Sequence, residues 1–393
     1  MLTSLAWIFL VGLLLSHLAG KLKLPALIGM LLTGMVLGPY GCNVLDETLL
    51  DISGQLRQVA LVIILLRAGL ALRMDDLRKA GRPAILLCFV PACCEIAGVT
   101  LLAPMLLPVT HAEAALLGSV LAAVSPAVIV PRMLRLMEQK RGTGQQIPQM
   151  LMAGASADDV LVIVLFTTFS GMVAGEQVNW SSIAQVPVSI VLGVAGGIAA
   201  GYLLARFWKS RHMRDSVKVL ILLSVCFLLL ELENQLEGTV AFSGLLAVMS
   251  AGAALLWDYP VLAGRLSAKM GKLWVAAEVL LFVLVGATVD MRYAVQAGGW
   301  MLLVVAGGLV FRVAGVALCV AGSPLRLRER LFCMIAYLPK ATVQAAIGGL
   351  PLAMGLSCGR LVLTAAVLAI LVTAPLGAWG IDQTAHRWLR QEE

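Results

Sequence analysis

Two adjacent acids, Asp158 and Asp159, sit in the stretch AGASADDVLVIV and are the only charged residues between Arg141 and Glu176. They lie about ten residues from the nearest polar flank of that run, roughly 15 Å along a helix axis. Neighbouring residues on a helix point in different directions, so one carboxyl can face a cavity while the other meets an adjacent helix. A carboxyl in such a place can hold a proton. It can also release the proton and coordinate a small hard cation, which prefers oxygen ligands. Proton and cation then compete for one group, the least machinery that exchange of one for the other needs.

Further charges stand inside apolar runs. Glu95 is in CFVPACCEIAGV, Arg312 in LVFRVAGV, Lys340 in YLPKATVQAAIG and Arg67 in IILLRAGLAL, with Glu278 nearer the end of its run. A charge at membrane depth costs at least about 2.5–3.5 kcal/mol on insertion scales, so each asks for a function or a partner. The depths of Glu95 and Arg312 differ by about one helical turn. They can form a structural ion pair, or Arg312 can compete for Asp158 or Asp159 when no cation is bound. Lys340 follows Pro339, where a broken helix exposes carbonyl groups with partial negative charge, and electrostatic support is its expected role. Arg67 either joins this support or extends its head toward water. Ser125, Thr342 and Gln344 stand at helix breaks and can supply neutral oxygens.

These residues need long apolar elements to hold them. Of 393 residues, 60% are hydrophobic and 13% charged, and the mean hydropathy is +0.95. A soluble domain averages about 25% charged residues, so the expected fold class is an all-α polytopic membrane protein. The apolar runs are continuous rather than alternating, which excludes a transmembrane β-barrel. The spans are read as 3–20, 24–41, 56–73, 83–107, 112–135, 149–174, 183–207, 216–234, 239–257, 271–289, 296–321, 328–350 and 359–380, about 13 transmembrane helices. The fifth, with Pro126 and Pro131, and the twelfth, with Pro339, Gly348, Gly349 and Pro351, carry helix breakers. Being seven spans apart, they describe inverted repeats of six helices with two crossing broken helices, an architecture that forms substrate sites near the membrane midplane.

The formal net charge is +7. Most of the basic residues fall in alternate loops, from Lys21 and Lys23 through Arg73, Arg78 and Lys79 to Arg387 and Arg390. By the positive-inside rule that face is cytoplasmic, with the N-terminus outside and the C-terminus inside. The opposite loops are mainly acidic, as at Asp46, Glu176 and Glu237. The excess therefore reports topology, and no basic block points to nucleic acid. The eight cysteines form no CxxC pair and the four histidines are scattered, so no clustered metal site is expected. His212 and His386 are cytoplasmic-loop candidates for sensing pH. The first apolar run lacks a preceding basic residue and is read as a membrane helix rather than a cleaved leader.

The stretches IILLRAGLAL, VPACCEIAGV, AAVSPAVIVP, AGASADDV and LPKATVQAAIG, in this order over about residues 57–350, resemble the NHA-type branch of the monovalent cation:proton antiporter superfamily. The resemblance implies a homodimer whose subunits combine a scaffold with a moving transport core. It implies scaffold and dimer helices mainly in 1–73 and 216–289, a core mainly in 83–174 and 296–380, and a linker helix at 183–207. It also implies Asp158 and Asp159 as the ion-binding pair, with Asp159 the first choice for direct ligation. An Arg at 312 with Glu95, where many electrogenic members have Lys, leaves electrogenic and electroneutral exchange both open. The expectation is therefore not an enzyme but a secondary active Na⁺ or Li⁺/H⁺ antiporter with no cofactor besides the transported ions, in a bacterial inner membrane. Its alternatives are K⁺/H⁺ exchange, a cation channel and a sodium-coupled symporter of the same fold.

Overall fold

The computed structural model describes residues 1–22, 24–71, 81–174, 180–211, 213–236 and 242–391. Lys23, Arg73, Arg78, Lys79, Glu176, Glu237 and His212 lie outside the described residues. The chain resolves into two compact units: the first comprises residues 1–54, 74–173 and 279–393, and the second comprises 55–73 and 174–278.

The first unit opens with α1 (Leu2–Lys21), α2 (Ala26–Leu37) and the short α3 (Glu47–Asp51). In the second unit lie most of α4 (Ser53–Ala71), α10 (Trp180–Ser210), α11 (Asp215–Leu236) and α12 (Gly244–Asp258). Between them in sequence, the first unit continues with α5 (Gly81–Leu87), α6 (Val90–Leu106), α7 (His111–Ala122), α8 (Pro126–Glu138) and α9 (Ile147–Val173). It resumes within α13 (Pro260–Ala287) and goes on through α14 (Met291–Val320), α15 (Leu327–Ala336), α16 (Thr342–Ile347), α17 (Leu350–Ala353) and α18 (Gly359–Trp388).

Helix occurs in each of the thirteen segments expected from the sequence. Among the described residues, eight helical stretches are long and apolar enough to cross a membrane, and four shorter apolar helices accompany them. The protein is multi-pass and lives in a lipid bilayer. Three boundaries differ from expectation. α13 starts at Pro260 rather than 271, so Arg265, Lys269 and Lys272 ride on a helix. Arg265 pairs there with Asp215 at 3.1 Å. α18 runs on to Trp388, carrying Asp382 and His386. The expected span 83–107 is interrupted at Cys88–Phe89, because Pro91 in the first turn of α6 has no N–H with which to continue the ladder.

Local chemistry fixes several helix ends. Thr110 and Glu113 form a reciprocal capping box at the start of α7, with Thr110 N donating to Glu113 Oε2 at 2.8 Å. Asp290 caps α14 by accepting from the backbone N–H groups of Arg292 and Tyr293. Within the first unit a Cβ on Gly34 would collide with the Val283 carbonyl oxygen, and one on Gly286 with that of Leu31. α2 and α13 therefore meet backbone to backbone, as small residues allow between membrane helices. One apolar cluster of this unit joins Leu87, Val124, Ile129, Leu151, Phe332 and Tyr337. It seats the helix breaks.

Candidate ion-binding site

The breaks arise from proline in apolar helix. Pro126 disfavours helical geometry at the residue before it, and Ser125 takes an extended conformation with φ −90° and ψ 107°. α7 thus stops at Ala122 and α8 begins at Pro126. Pro339 lies in the corresponding gap between α15 and α16. The two gaps touch through the main chain, where Ser125 N donates to the Pro339 carbonyl at 2.8 Å. Lys340 N donates to Thr373 Oγ1 of α18 at 3.0 Å, which ties the second gap to a third helix.

A helix that stops inside the membrane leaves its last carbonyls without intrahelical partners and with partial negative charge. Three side chains take those of α7. Gln344 Nε2 donates to the carbonyls of Ala123 (2.8 Å), Val120 (3.2 Å) and Leu121 (3.3 Å). Lys340 Nζ donates to Leu121 O and Arg312 Nη1 to Ala122 O. Lys340 does neutralise a carbonyl end, but it is that of the other broken helix.

The same two bases organise the acids. Arg312 Nη1 lies 2.8 Å from Glu95 Oε2, and Arg312 Nη2 lies 3.1 Å from Asp158 Oδ2. Arg312 Nε donates to the Tyr337 carbonyl at 2.6 Å, and the guanidinium stands 5.3 Å from the Tyr337 ring centre. Lys340 Nζ stands 2.7 Å from Glu95 Oε1. Asp158 Oδ2 also accepts from Val124 N at 2.9 Å, inside the first gap. Glu95, Asp158, Arg312 and Lys340 are 0% exposed and Asp159 6%. Arg312 thus holds Glu95 and Asp158 at once.

Asp159 differs from the other acids. Its Oδ1 is buried and has no hydrogen-bond partner, and it neighbours Asp158 and Arg312 electrostatically. Asp158 Oδ1, Ser125 Oγ, Thr342 Oγ1 and Gln344 Oε1 are likewise buried without a hydrogen-bond partner. An unsatisfied buried oxygen is costly, commonly about 1–3 kcal/mol. Carboxylate, hydroxyl and amide oxygens are the ligands a hard cation takes. Among the described residues no cluster of three or more His, Cys, Asp and Glu side chains could hold a resident metal.

Seven of the nine candidate site residues, Glu95, Ser125, Asp158, Arg312, Lys340, Thr342 and Gln344, lie at or beside the two gaps or bond to residues that do. Asp159 follows Asp158 on α9, and Arg67 stands apart. Arg67 is exposed on α4, where Glu278 is its electrostatic neighbour. Tyr337 and Thr373 were not anticipated. Tyr337 acts mainly through its backbone carbonyl, which no residue type announces. The hydroxyl of Thr373 sits two residues before Pro375 in an apolar run and gave a faint signal.

Buried acids and bases gathered where two broken membrane helices cross define an ion-translocating membrane protein. The family profile described as "Sodium/hydrogen exchanger, transmembrane" matches residues 5–384, and the chain belongs to this family. It is 33% identical to sodium/hydrogen exchanger 9B2 of Mus musculus over 384 residues, covering 94% of this chain and 69% of the relative. It is also 33% identical to sodium/hydrogen exchanger 9B1 of Homo sapiens, covering 90% and 70%. The structure of the sodium proton antiporter MjNhaP1 from Methanocaldococcus jannaschii at pH 8 superposes with a TM-score of 0.85 over 98% of both chains, at 20% identity. The fold is thus the antiporter fold.

Proposed function

We propose that the protein exchanges Na⁺ or Li⁺ for H⁺ across a bacterial inner membrane, with Asp158 and Asp159 as the site where the two ions compete. One observation carries this reading: three buried carboxylates face two buried bases. Arg312 and Lys340 balance Glu95 and Asp158. An ionised Asp159 then leaves one uncompensated negative charge, which a proton or a monovalent cation can each cancel. The count favours one cation for one proton. Ser125, Thr342 and Gln344 complete the oxygen set around the cation, and Glu95, Arg312 and Lys340 hold the gap charges in place. The transported ions are cargo, and the reading needs no cofactor. The same reading makes the protein a homodimer with the N-terminus outside and the C-terminus cytoplasmic. The core around 83–174 and 296–380 moves against scaffold helices in 1–73 and 216–289, with 183–207 as linker.

Purified protein in proteoliposomes tests this directly. An imposed Na⁺ or Li⁺ gradient should change the lumenal pH, with voltage free or clamped, whereas a channel passes cations without that obligatory proton movement. Running K⁺ in parallel separates K⁺/H⁺ exchange. Asp158→Asn and Asp159→Asn should each abolish or severely reduce the signal; wild-type rates in both variants overturn the site assignment.

A further inference from the structure

Arg326, Arg328, Arg387 and Arg390 belong to a second feature, outside the two helix gaps. Together with Leu327, Trp388 and Leu389 they line a cavity of about 450 Å³ between the start of α15 and the end of α18, both in the first unit. Among the described residues none of the four arginines is in a salt bridge. Other basic residues do find partners: Arg132 pairs with Asp382 at 3.2 Å and Lys209 with Asp258 at 2.9 Å. The nearest acid along α15, Glu329, is 3% exposed and accepts from Arg326 N at 2.8 Å, so its charge is turned away into the helix start. Glu392 and Glu393 lie outside the described residues.

Four like charges around one cavity repel each other unless an anion sits among them. Guanidinium groups match phosphate oxygens with paired N–H donors. Leu327 is 73% exposed beside them, and Trp388 is a residue type that settles at the membrane–water boundary. We propose that this cavity binds a phosphate-bearing anion, supplied by the headgroup of an anionic lipid or by a soluble phosphate.

The site has a mechanical consequence. Arg390 O accepts from Gly142 N at 2.8 Å, and Arg141 donates to His386 O at 3.3 Å and to Gln391 Oε1 at 3.0 Å. The segment bearing Arg387 and Arg390 therefore clasps the loop that joins broken helix α8 to α9, the helix of Asp158 and Asp159. An anion that immobilises the arginines strengthens that clasp.

The test uses the full chain in detergent, with phosphatidylglycerol, phosphatidylcholine or inorganic phosphate added. Phosphatidylglycerol should raise the Tm more than phosphatidylcholine does. In R326Q/R328Q/R387Q/R390Q that extra rise should vanish, and retention of phosphatidylglycerol by native mass spectrometry should fall by on the order of 100- to 1000-fold in affinity. R206Q/R211Q/R214Q/K272Q, which removes four exposed charges elsewhere, should keep the rise. The single variants R328Q and R387Q, each expected to lose roughly fivefold in affinity, decide the matter if the quadruple variant does not fold. Inorganic phosphate reproducing the rise without lipid assigns the source to a soluble anion. Equal rises in wild type and cavity variants, or equal losses in cavity and control variants, overturn the proposal.

Discussion

Glu95 is the residue on which the buried charges depend most. It touches Arg312 at 2.8 Å and Lys340 at 2.7 Å, and both bases also hold carbonyls of the broken helix. Removing one partner of a buried pair commonly costs about 3–5 kcal/mol, because the charge left behind is uncompensated. Glu95→Gln should therefore lower the Tm strongly, whereas Asp159→Asn, which leaves every mapped ion pair intact, should keep near-native stability while losing transport. Thermal unfolding of Glu95→Gln, Arg312→Gln and the double variant should give a non-additive loss; strict additivity speaks against the pair. A pairing of Glu95 with Arg312 was one of two readings open in the sequence, because both charges sit in apolar runs about one helical turn apart in depth. The third contact, from Lys340, joins residues 245 positions apart, and depth alone does not choose between two bases at one level.

At the scale of elements, the helix breaks were readable and their mutual arrangement was not. Pro126 and Pro339 cannot donate a ladder hydrogen bond, so interruption follows from residue type. That α7 would be capped from the other break follows only from how the helices pack. Gln344 shows the point, since its amide serves the carbonyls of Val120, Leu121 and Ala123 at and just past the end of α7. Gln344→Leu keeps the size and strips the donor. It should destabilise the protein by about 1–3 kcal/mol, seen as a lower Tm, and reduce transport. The split of the span 83–107 was not read because Pro91 and Pro104 stand in an otherwise uniform apolar run. Proline in the first turn of a helix and proline within one look alike in sequence. α13 outran expectation because its early turns carry Arg265, Lys269 and Lys272. Polarity marks where a helix faces water or a partner as readily as where it ends.

For the whole molecule, charge bookkeeping sets the expected response to pH. Competition between one proton and one cation makes the apparent KM for Na⁺ rise as pH falls below the pKa of the competing group. The slope is about tenfold per pH unit for a single proton and about a hundredfold for two. Proteoliposome rates measured across pH should show the single-proton slope, and a slope near two removes the one-for-one count. Length and composition already foretold a multi-pass protein, because 13% charged residues leave too little polar surface for a soluble one. Which residues cluster into which compact unit was less accessible. The first unit gathers residues 1–54 with distant stretches of the chain, and such long-range grouping leaves no local periodic trace.

The hydrogen bond from Ser125 N to the Pro339 carbonyl uses main-chain atoms alone, while the Ser125 hydroxyl remains free of it. The position thus divides its labour. The backbone holds the crossing, and the side chain can vary without loosening it, provided it is not proline. Ser125→Ala should keep the Tm and alter the apparent affinity for Na⁺ relative to Li⁺. Ser125→Pro deletes the donor and should destabilise the fold. If Ser125 is a cation ligand as proposed, ion preference can drift by substitution at this point while the architecture is inherited unchanged, so the fold would be able to explore new cations one hydroxyl at a time.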